Sequence, residues 1–487
     1  MNFRDAAFGA PGTQRGPGGL DLVRLPLLGR FLRWRHARLA VQIPMGLLAL
    51  VLVLHGLFGP EVAPKNLSTL LVWVHWRGAL VIGLLLIGNL FCFGCPLLLP
   101  REIARRVARP TRRLPRALRN KWTGLTLLVG VLFVYEWLDL WASPFATAVA
   151  ILAYFAAALA IDAVFAGAPF CKWICPIGQF NFVSSTFSPF EVRAHDLEVC
   201  DACTTKDCIK GRRSDAEPER IDQRGCELAL FLPRKVGNID CTFCLDCVHA
   251  CPTDNVAIAS RVPGDELAVD PVRSGIGRLS GRTDIAVLVV LFTFGALLNA
   301  FGMVAPVYAL QSWLAETLGT RSEFVVLGIV FVASLVVLPL LALGAVALAV
   351  RATTGLRPRA HLARFVPVLA PLGFGVWLAH YCFHFLTGLW TFVPVAQHAA
   401  AGTGLALLGR PDWGMGGLSE AAVWPIELGF LALGAIGSLG VLWRLARRDV
   451  PRRPFGAFLP WAALVVALTG AALWLLAQPM EMRGTYL

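Results

Sequence analysis

Charged residues are scarce in this sequence: Asp, Glu, Lys and Arg make up 15% of its 487 residues, whereas hydrophobic residues make up 56%. Its mean hydropathy of +0.65 is far too high for a protein that folds in water. Several runs exceed the roughly 18 apolar residues that indicate a membrane-spanning helix. The composition therefore excludes a soluble globular protein and predicts a polytopic α-helical membrane protein in contact with lipid.

Several cofactor motifs are also absent. There is no Cys-x-x-Cys-His for covalent attachment of a c-type haem. The polar region contains no Gly-x-Gly-x-x-Gly, and the chain has no P-loop motif. Nothing in the sequence therefore supports a c-haem attachment site, a Rossmann nicotinamide site or a P-loop ATP site. The net charge of +13 does not indicate nucleic-acid binding, because the basic residues cluster beside the apolar runs, as the positive-inside rule describes.

The apolar runs predict about nine membrane spans. Basic residues are concentrated in alternate loops, which predicts a cytoplasmic N-terminus and a periplasmic C-terminus in a bacterial inner membrane. The expected divisions are a cytoplasmic N-terminal segment (1–39), a four-helix membrane bundle (40–167), a cytoplasmic polar domain (168–283) and a C-terminal membrane domain of about five helices (284–487). The predicted spans are 40–59, 70–92, 122–141, 145–166, 284–305, 324–350, 365–389, 421–443 and 457–477.

The polar domain contains the motif Cys241-x₂-Cys244-x₂-Cys247-x₃-Cys251-Pro252. This is the spacing of bacterial-type [4Fe–4S] ferredoxins, in which three cysteines bind one cubane and the fourth binds another. A zinc ribbon would instead need two Cys-x₂-Cys pairs separated by a longer spacer. The motif therefore predicts iron–sulfur chemistry and an inserted cytoplasmic, bacterial-ferredoxin-like α+β domain.

A stretched second motif lies upstream of the first. Cys200-x₂-Cys203-x₄-Cys208 is followed by Cys226 after a gap of 17 residues. Cys226 could alternatively be an ordinary buried thiol, since free cysteine packs readily in apolar cores. By the logic of two-cluster ferredoxins, the predicted ligand sets are Cys200, Cys203, Cys208 and Cys251 for one [4Fe–4S] cluster and Cys226, Cys241, Cys244 and Cys247 for the other.

Two more cysteine pairs lie at predicted membrane boundaries. Cys92-x₂-Cys95-Pro96 ends the second span, and Cys171-x₃-Cys175-Pro176 follows the fourth. The predicted topology places both pairs on the cytoplasmic side, where four thiolates would suffice for a third [4Fe–4S] cluster. A redox-active dithiol and simple packing are the alternatives. The thirteenth cysteine, Cys382, is predicted to be a small buried hydrophobic residue.

Taken together, Cys92–Pro96, Cys171–Pro176 and Cys241–Pro252 resemble the membrane-bound polyferredoxins of the NosR/NapH type, over roughly residues 40–260. These are quinol-dehydrogenase components that accompany periplasmic nitrous oxide and nitrate reductases. The resemblance implies electron transfer between quinol and a partner redox protein. Two features depart from the family, because the first pair is Cys-x₂-Cys-Pro rather than Cys-x₃-Cys-Pro and at least four extra spans follow. The chain is thus similar to a larger variant that works with cytochrome or oxidoreductase subunits, and the partner itself is not implied.

Ionisable residues inside predicted spans are candidates for function, because burying them in lipid is costly. Histidine is suited to both metal and proton chemistry, so a b-type haem, a quinone site and plain packing all remain open for the basic residues. The acidic residues could form a proton path or pair within the bundle. The basic candidates are His55, His75, Arg77, His380 and His384, and the acidic ones are Glu136, Asp139, Asp162 and Glu427.

Two classes of function follow from these patterns. The first is an iron–sulfur electron-transfer subunit of a respiratory complex, resembling a quinol dehydrogenase, that connects the quinone pool to a partner redox protein. The second is an assembly or regulatory membrane protein that reduces a metal or senses redox state. The direction of electron flow does not follow from the ligands, because cluster potentials span about a volt.

Overall fold

The computed structural model describes residues 19–107, 110–217, 220–402, 404 and 408–480. Its strands form two small two-stranded sheets, and most of the remaining ordered structure is helical. In this part of the chain, eight helices are long and apolar enough to cross a membrane, which makes the protein a multi-pass α-helical membrane protein. They are Ala37–Phe58, Leu67–Leu86, Pro144–Val164, Thr283–Phe301, Glu323–Thr354, Pro358–Thr387, Glu420–Asp449 and Pro454–Leu476.

One of the nine predicted spans is shorter than expected. The run at 122–141 contains a 16-residue apolar helix, Trp122–Trp137. At 1.5 Å per residue this helix is about 24 Å long, which is less than the hydrocarbon core of about 30 Å. The helix ends before a turn in which Asp139 adopts a left-handed conformation, with φ of +43°. The apolar pattern therefore continued beyond the point at which the backbone leaves the helix.

The contacts within the chain divide it into two compact units, and each unit is assembled from separated segments. Each predicted domain, in contrast, is one continuous range of the sequence. The boundaries of these domains stay predictions. The first unit comprises Met1–Gly46, Gly83–Leu125 and Phe155–Ala286, and the second comprises Leu47–Ile82, Thr126–Tyr154 and Val287–Leu487.

The first unit contains the polar region. Strand Phe190–Ala194 pairs antiparallel with strand Val256–Ser260, and the short helices Leu197–Ala202 and Asp246–Ala250 lie between them in sequence. Apolar side chains of both strands pack into one core with the residues around the cysteines. This order of elements brings the ends of the cysteine-rich segment together, and the specific ferredoxin-like fold stays a prediction.

The second unit contains much of the long helical structure. Gly375 and Gly434 allow Pro358–Thr387 to approach Glu420–Asp449 closely, because a Cβ atom on Gly375 would lie 3.0 Å from the Cα of Gly434. Small residues at such crossings are a common device of membrane helices. Helix Leu67–Leu86 contains a π-helical segment at Leu70–Trp76. Such segments are rare and often occur at functional sites.

Candidate metal centres

Twelve of the thirteen cysteines lie in the first unit, and all thirteen are free thiols. The first set of four comes together around Cys200, which lies within electrostatic range of Cys203, Cys208 and Cys251. Asn255 holds two of these residues: its side-chain Nδ2 donates to the Cys200 Sγ and its backbone N–H donates to the Cys251 Sγ, both at 3.3 Å. The structure therefore assembles the first predicted ligand set.

The second set also assembles. Cys247 lies within electrostatic range of Cys226 and Cys241, and Cys244 lies within range of Cys226 and Cys247. Cys226 is thus grouped with the core motif and accepts a hydrogen bond from the Leu230 N–H at 3.4 Å. This placement favours the ligand interpretation of Cys226 over that of an isolated core thiol.

The loop of the second set has an unusual backbone. Phe243 and Leu245, on either side of Cys244, have φ of +51° and +62°. Non-glycine residues adopt this left-handed region at a cost, and such residues occur most often at functional sites. Left-handed residues are one component of the loops that turn successive N–H groups toward a common side, a geometry that binds anions and iron–sulfur clusters.

The third set lines an enclosed space in the first unit. Cys92, Cys95, Cys171 and Cys175 all border one cavity of about 30 Å³, whose other walls are mainly aromatic and aliphatic. The Asn181 Nδ2 lies 3.5 Å from the Cys92 Sγ, and the Gly178 N–H donates to the Cys175 Sγ at 3.2 Å. The two cysteine pairs, far apart in sequence, therefore meet at one site.

Burial affects the chemistry of this third set. It raises the pKa of Cys175 to about 12 and that of Cys95 to about 11, and it raises the pKa values of Cys92 and Cys171 as well. Reactive dithiols need a lowered pKa, because the thiolate is the nucleophile. A bound metal, in contrast, supplies the positive charge that deprotonates a buried thiol. The environment thus disfavours a reactive dithiol, and both metal ligation and simple packing fit it.

The described residues contain no group of three or more His, Cys, Asp or Glu side chains placed to hold one metal ion. In a cubane each cysteine binds a different iron, so the four sulfur atoms surround a volume and do not converge on a point. Four ligands of a structural zinc ion would converge in a tetrahedron. Four cysteines are the number of donors that either a cubane or a structural zinc ion takes.

Hydrogen bonds connect the three sets in series. The Cys226 N–H donates to the Cys208 carbonyl at 2.9 Å, which joins the second set to the first. The Asn89 Nδ2, from the segment that carries the third set, donates to the Cys241 carbonyl at 3.0 Å. Thr242 also lines the cavity of the third set. The segments of the second set therefore contact those of both other sets.

A buried ionic network fixes the chain before Cys171. Arg101 is 1% exposed and pairs with Asp162 at 3.3 Å and with Glu227 at 3.1 Å. Asp162 also accepts a hydrogen bond from the Phe170 N–H at 3.1 Å. These contacts support a structural role for Asp162. They do not support its predicted place in a proton path.

The lysines between the second and third sets were not anticipated from the sequence. Lys121 donates to Asp240, which precedes Cys241, and to the backbone carbonyl of Lys172. Burial lowers the pKa of Lys172, and Asp240 raises it again. Lys172 lies inside the Cys171-x₃-Cys175 motif, so its closeness to these cysteines could be predicted from the sequence. Its hydrogen-bond and ion-pair partners could not.

The membrane histidines fall into two groups. His55 accepts a hydrogen bond from the Leu67 N–H at 3.2 Å through Nδ1, and so it holds a local turn. His75, His380 and His384 are buried, at 8%, 0% and 7% exposure. No described residue forms a hydrogen bond with Nε2 of these three, nor with Nδ1 of His380. Buried polar atoms are normally paired, so these three histidines, unlike His55, point to a ligand.

Arg77 lies in the second unit, two residues after His75 in sequence. Its guanidinium lies over the rings of Trp73, Tyr135 and Tyr381, at 4.6, 4.3 and 5.2 Å from their centroids. It also donates to the Tyr135 hydroxyl at 3.2 Å. A cation enclosed by aromatic rings inside a helical bundle is suited to hold the carbonyl of an aromatic or quinoid ligand.

The acidic candidates take different positions. Glu136 borders a cavity of about 20 Å³ that is otherwise mostly apolar and that also contains the polar side chains of Asn299 and Gln311. Glu427 is 2% exposed, within helix Glu420–Asp449. Asp139 lies in the turn after Trp122–Trp137, where its carbonyl accepts the Ala142 N–H at 2.8 Å. Of these, Glu136 is the residue that faces a space large enough for a water molecule.

We expect Asn255→Leu to destabilise the first cysteine set, because the variant loses the side-chain hydrogen bond to the Cys200 sulfur. Hydrogen bonds to charged groups contribute about 1.5–3 kcal/mol, so iron should leave this set at least tenfold faster when a chelator is added. The second set in the same molecule is the internal control. Equal rates of iron loss in the variant and the wild type would show that Asn255 does not support the site.

Comparison with known proteins yields limited but relevant similarity. The chain is 30% identical over 94 residues to an Escherichia coli (strain K12) protein described as "Putative electron transport protein YccM". That match covers 19% of this chain and 22% of the relative, so the chain spans about a fifth of the length of the curated relative that it matches. No family model matches the chain, and no solved structure matches it.

Proposed function

We propose that this protein is an iron–sulfur electron-transfer subunit of a respiratory membrane complex, which moves electrons between the quinone pool and a partner redox protein. The observation that carries the proposal is the grouping of twelve cysteines into three adjacent sets of four within one unit. The partial similarity to a protein described as an electron transport protein supports the same role.

Each set would hold one [4Fe–4S] cluster, with Cys200, Cys203, Cys208 and Cys251 as the first set, Cys226, Cys241, Cys244 and Cys247 as the second, and Cys92, Cys95, Cys171 and Cys175 as the third. When bound, such clusters supply one-electron redox chemistry. The protein's own contribution is to shield the cysteines partly from water, to donate hydrogen bonds to their sulfur atoms and to keep the sets in contact. Asn255, Asn181 and the backbone N–H groups of Gly178 and Leu230 perform the second task.

For quinone, the best-supported residues are Arg77, His75, His380 and His384 in the second unit. Oxidation of one quinol releases two electrons and two protons. Histidines without hydrogen-bond partners can accept these protons, and Arg77 can orient a quinone carbonyl. Glu136 would carry protons onward, since it lies within electrostatic range of Arg77 and borders the small cavity. A b-type haem with two of these histidines as axial ligands is the second candidate, because the same unpaired nitrogen atoms favour it.

We place the protein in a bacterial inner membrane, with the N-terminus and the cysteine-rich region in the cytoplasm and the C-terminus in the periplasm. The asymmetry of basic loops supports this orientation. The proposed partners are cytochrome or oxidoreductase subunits, and an assembly or regulatory role that reduces a metal is the competing function. Protease accessibility of the 206–224 segment in inside-out and right-side-out vesicles tests the orientation. Cleavage only in right-side-out vesicles would contradict it.

The function is tested by adding quinol to the purified protein and recording electron paramagnetic resonance (EPR) spectra at low temperature. We expect the signals of reduced iron–sulfur clusters to appear within the turnover time if quinol is the electron donor. If quinone is the electron acceptor, we expect added quinone to remove the signals of the reduced clusters. Dithionite serves as the control that reduces the clusters without quinone. Signals with dithionite, but neither reduction by quinol nor reoxidation by quinone, would favour the assembly or regulatory role.

A further inference from the structure

A group of buried charges lies between the second and third cysteine sets. Lys121, Lys172 and Asp240 are 1%, 5% and 0% exposed. Lys121 forms an ion pair with one Asp240 oxygen, and the Lys172 ammonium lies 3.9 Å from the other. Lys172 also donates to the carbonyls of Leu228 and Gly275. Two ammonium groups therefore share one carboxylate in a site closed to water.

The neighbouring charged side chains do not neutralise the positive charge of this group. Arg282 faces the same group and is paired with Asp284 through two hydrogen bonds, at 2.8 and 2.6 Å. The three cations Lys121, Lys172 and Arg282 thus face the two carboxylates Asp240 and Asp284, which leaves one positive charge in excess. An uncompensated buried charge is strongly destabilising. The site therefore calls for an anion nearby.

When it carries the proposed cluster, the second cysteine set is an anion in reach of this group, and the third set flanks Lys172 in sequence. Cys226 lies within electrostatic range of Lys172, and Lys172 binds the carbonyl of Leu228, two residues beyond Cys226. Asp240 is the residue directly before Cys241 and has φ of +63°. The charge group thus contacts the second set's segment at two places between Cys226 and Cys241, at the Leu228 carbonyl and at Asp240, the residue before Cys241.

We infer that Lys121, Lys172 and Asp240 form a charge group that raises the reduction potential of the second cysteine set. The inference rests on the proposed cluster at that set. Reduction adds one negative charge to a cluster, and net local charge is one of the factors that set its potential. A fixed positive excess stabilises the more negative, reduced form. These are positioning residues for charge, and they do not ligate the cluster.

Two substitutions should shift the potential in opposite directions. Lys172→Met removes the positive excess and should lower the midpoint potential of the second set. Asp240→Asn doubles the excess and should raise it, and asparagine tolerates the left-handed conformation of this position. A unit charge at a separation on the order of 10 Å, at an effective dielectric constant of about 20, changes an equilibrium constant more than about tenfold. We therefore expect shifts of about 59 mV or more, the equivalent of a tenfold change for one electron.

The measurement is a potentiometric titration of the full-length protein followed by EPR. Lys210→Met is the matched control, because it removes the same charge from an exposed lysine near the first set and should leave the second-set potential unchanged. If Lys172→Met fails to fold, the direction in which Asp240→Asn shifts the midpoint potential of the second set decides the test. Absence of iron–sulfur signals in the wild type would refute the proposed clusters. Normal signals with unmoved potentials, or with both variants shifted in one direction, would refute only the charge group.

Discussion

Cys244→Ser is expected to remove one of three iron–sulfur clusters and to abolish quinol-dependent electron transfer. Cys244 is half-buried in the middle of the second set's motif, between two residues in the left-handed conformation. A serine hydroxyl is a far weaker ligand for iron than a thiolate, and the loop cannot readily reposition another donor. The content of iron and acid-labile sulfide should fall by about one third, because each cubane contains four of each.

The expected loss of electron transfer follows from the position of the second set. It is hydrogen-bonded to the first set through Cys208 and to the segment of the third through Asn89. Removing the carrier whose segments contact both other sets should stop electron transfer from one of those sets to the other. The matched control is Cys382→Ser, the same substitution at the one cysteine outside the three sets. Full quinol-dependent activity in Cys244→Ser would show that the cysteine sets are not the electron path.

Replacing His384 with leucine is expected to raise the KM for quinol at least tenfold while leaving the iron content unchanged. His384 and His380 lie one helical turn apart, with ring centroids separated by 5.0 Å. Their Nε2 atoms have no hydrogen-bond partner among the described residues, so a ligand would supply the missing partner. A tenfold loss of affinity corresponds to roughly 1.4 kcal/mol, which is the size of effect that we expect from losing this contact.

The control for this substitution is His398→Leu, in the same unit, where the ring contacts Trp413. It should change neither the KM nor the optical spectrum. A b-type absorbance band in the wild type that disappears in His384→Leu would reassign the histidines to haem ligation. Unchanged KM and spectrum in His384→Leu would mean that His384 serves packing alone.

The cysteine sets could be grouped from the sequence because ferredoxin spacing is a short-range pattern. Cys226 follows Cys208 by a long insertion, and the two-cluster logic assigned it to the set of Cys241, which lies within electrostatic range of it. The two boundary pairs were predicted to lie on one side of the membrane, and their four cysteines border one cavity. The chemical role of all three sets stays a prediction.

Other features of the site depend on distant partners that no local pattern encodes. Lys121 meets Lys172 and Asp240 across 51 and 119 residues, and neither pair follows a helical or strand repeat. The apolar run at 122–141 predicted a full span, because hydropathy continues through a turn that the backbone makes at Asp139. Likewise, His55 resembled the other membrane histidines until its hydrogen bond to the Leu67 N–H was known.

The central claim, that three sets of four cysteines hold three cubanes, is tested most directly by the iron, acid-labile sulfide, zinc and haem content of the purified protein. We predict about twelve iron and twelve sulfide per chain, four of each per cluster, with iron–sulfur signals in the reduced spectrum. About eight of each would remove the third cluster and leave Cys92, Cys95, Cys171 and Cys175 without metal. Zinc in stoichiometric amounts with little iron or sulfide would contradict the account as a whole.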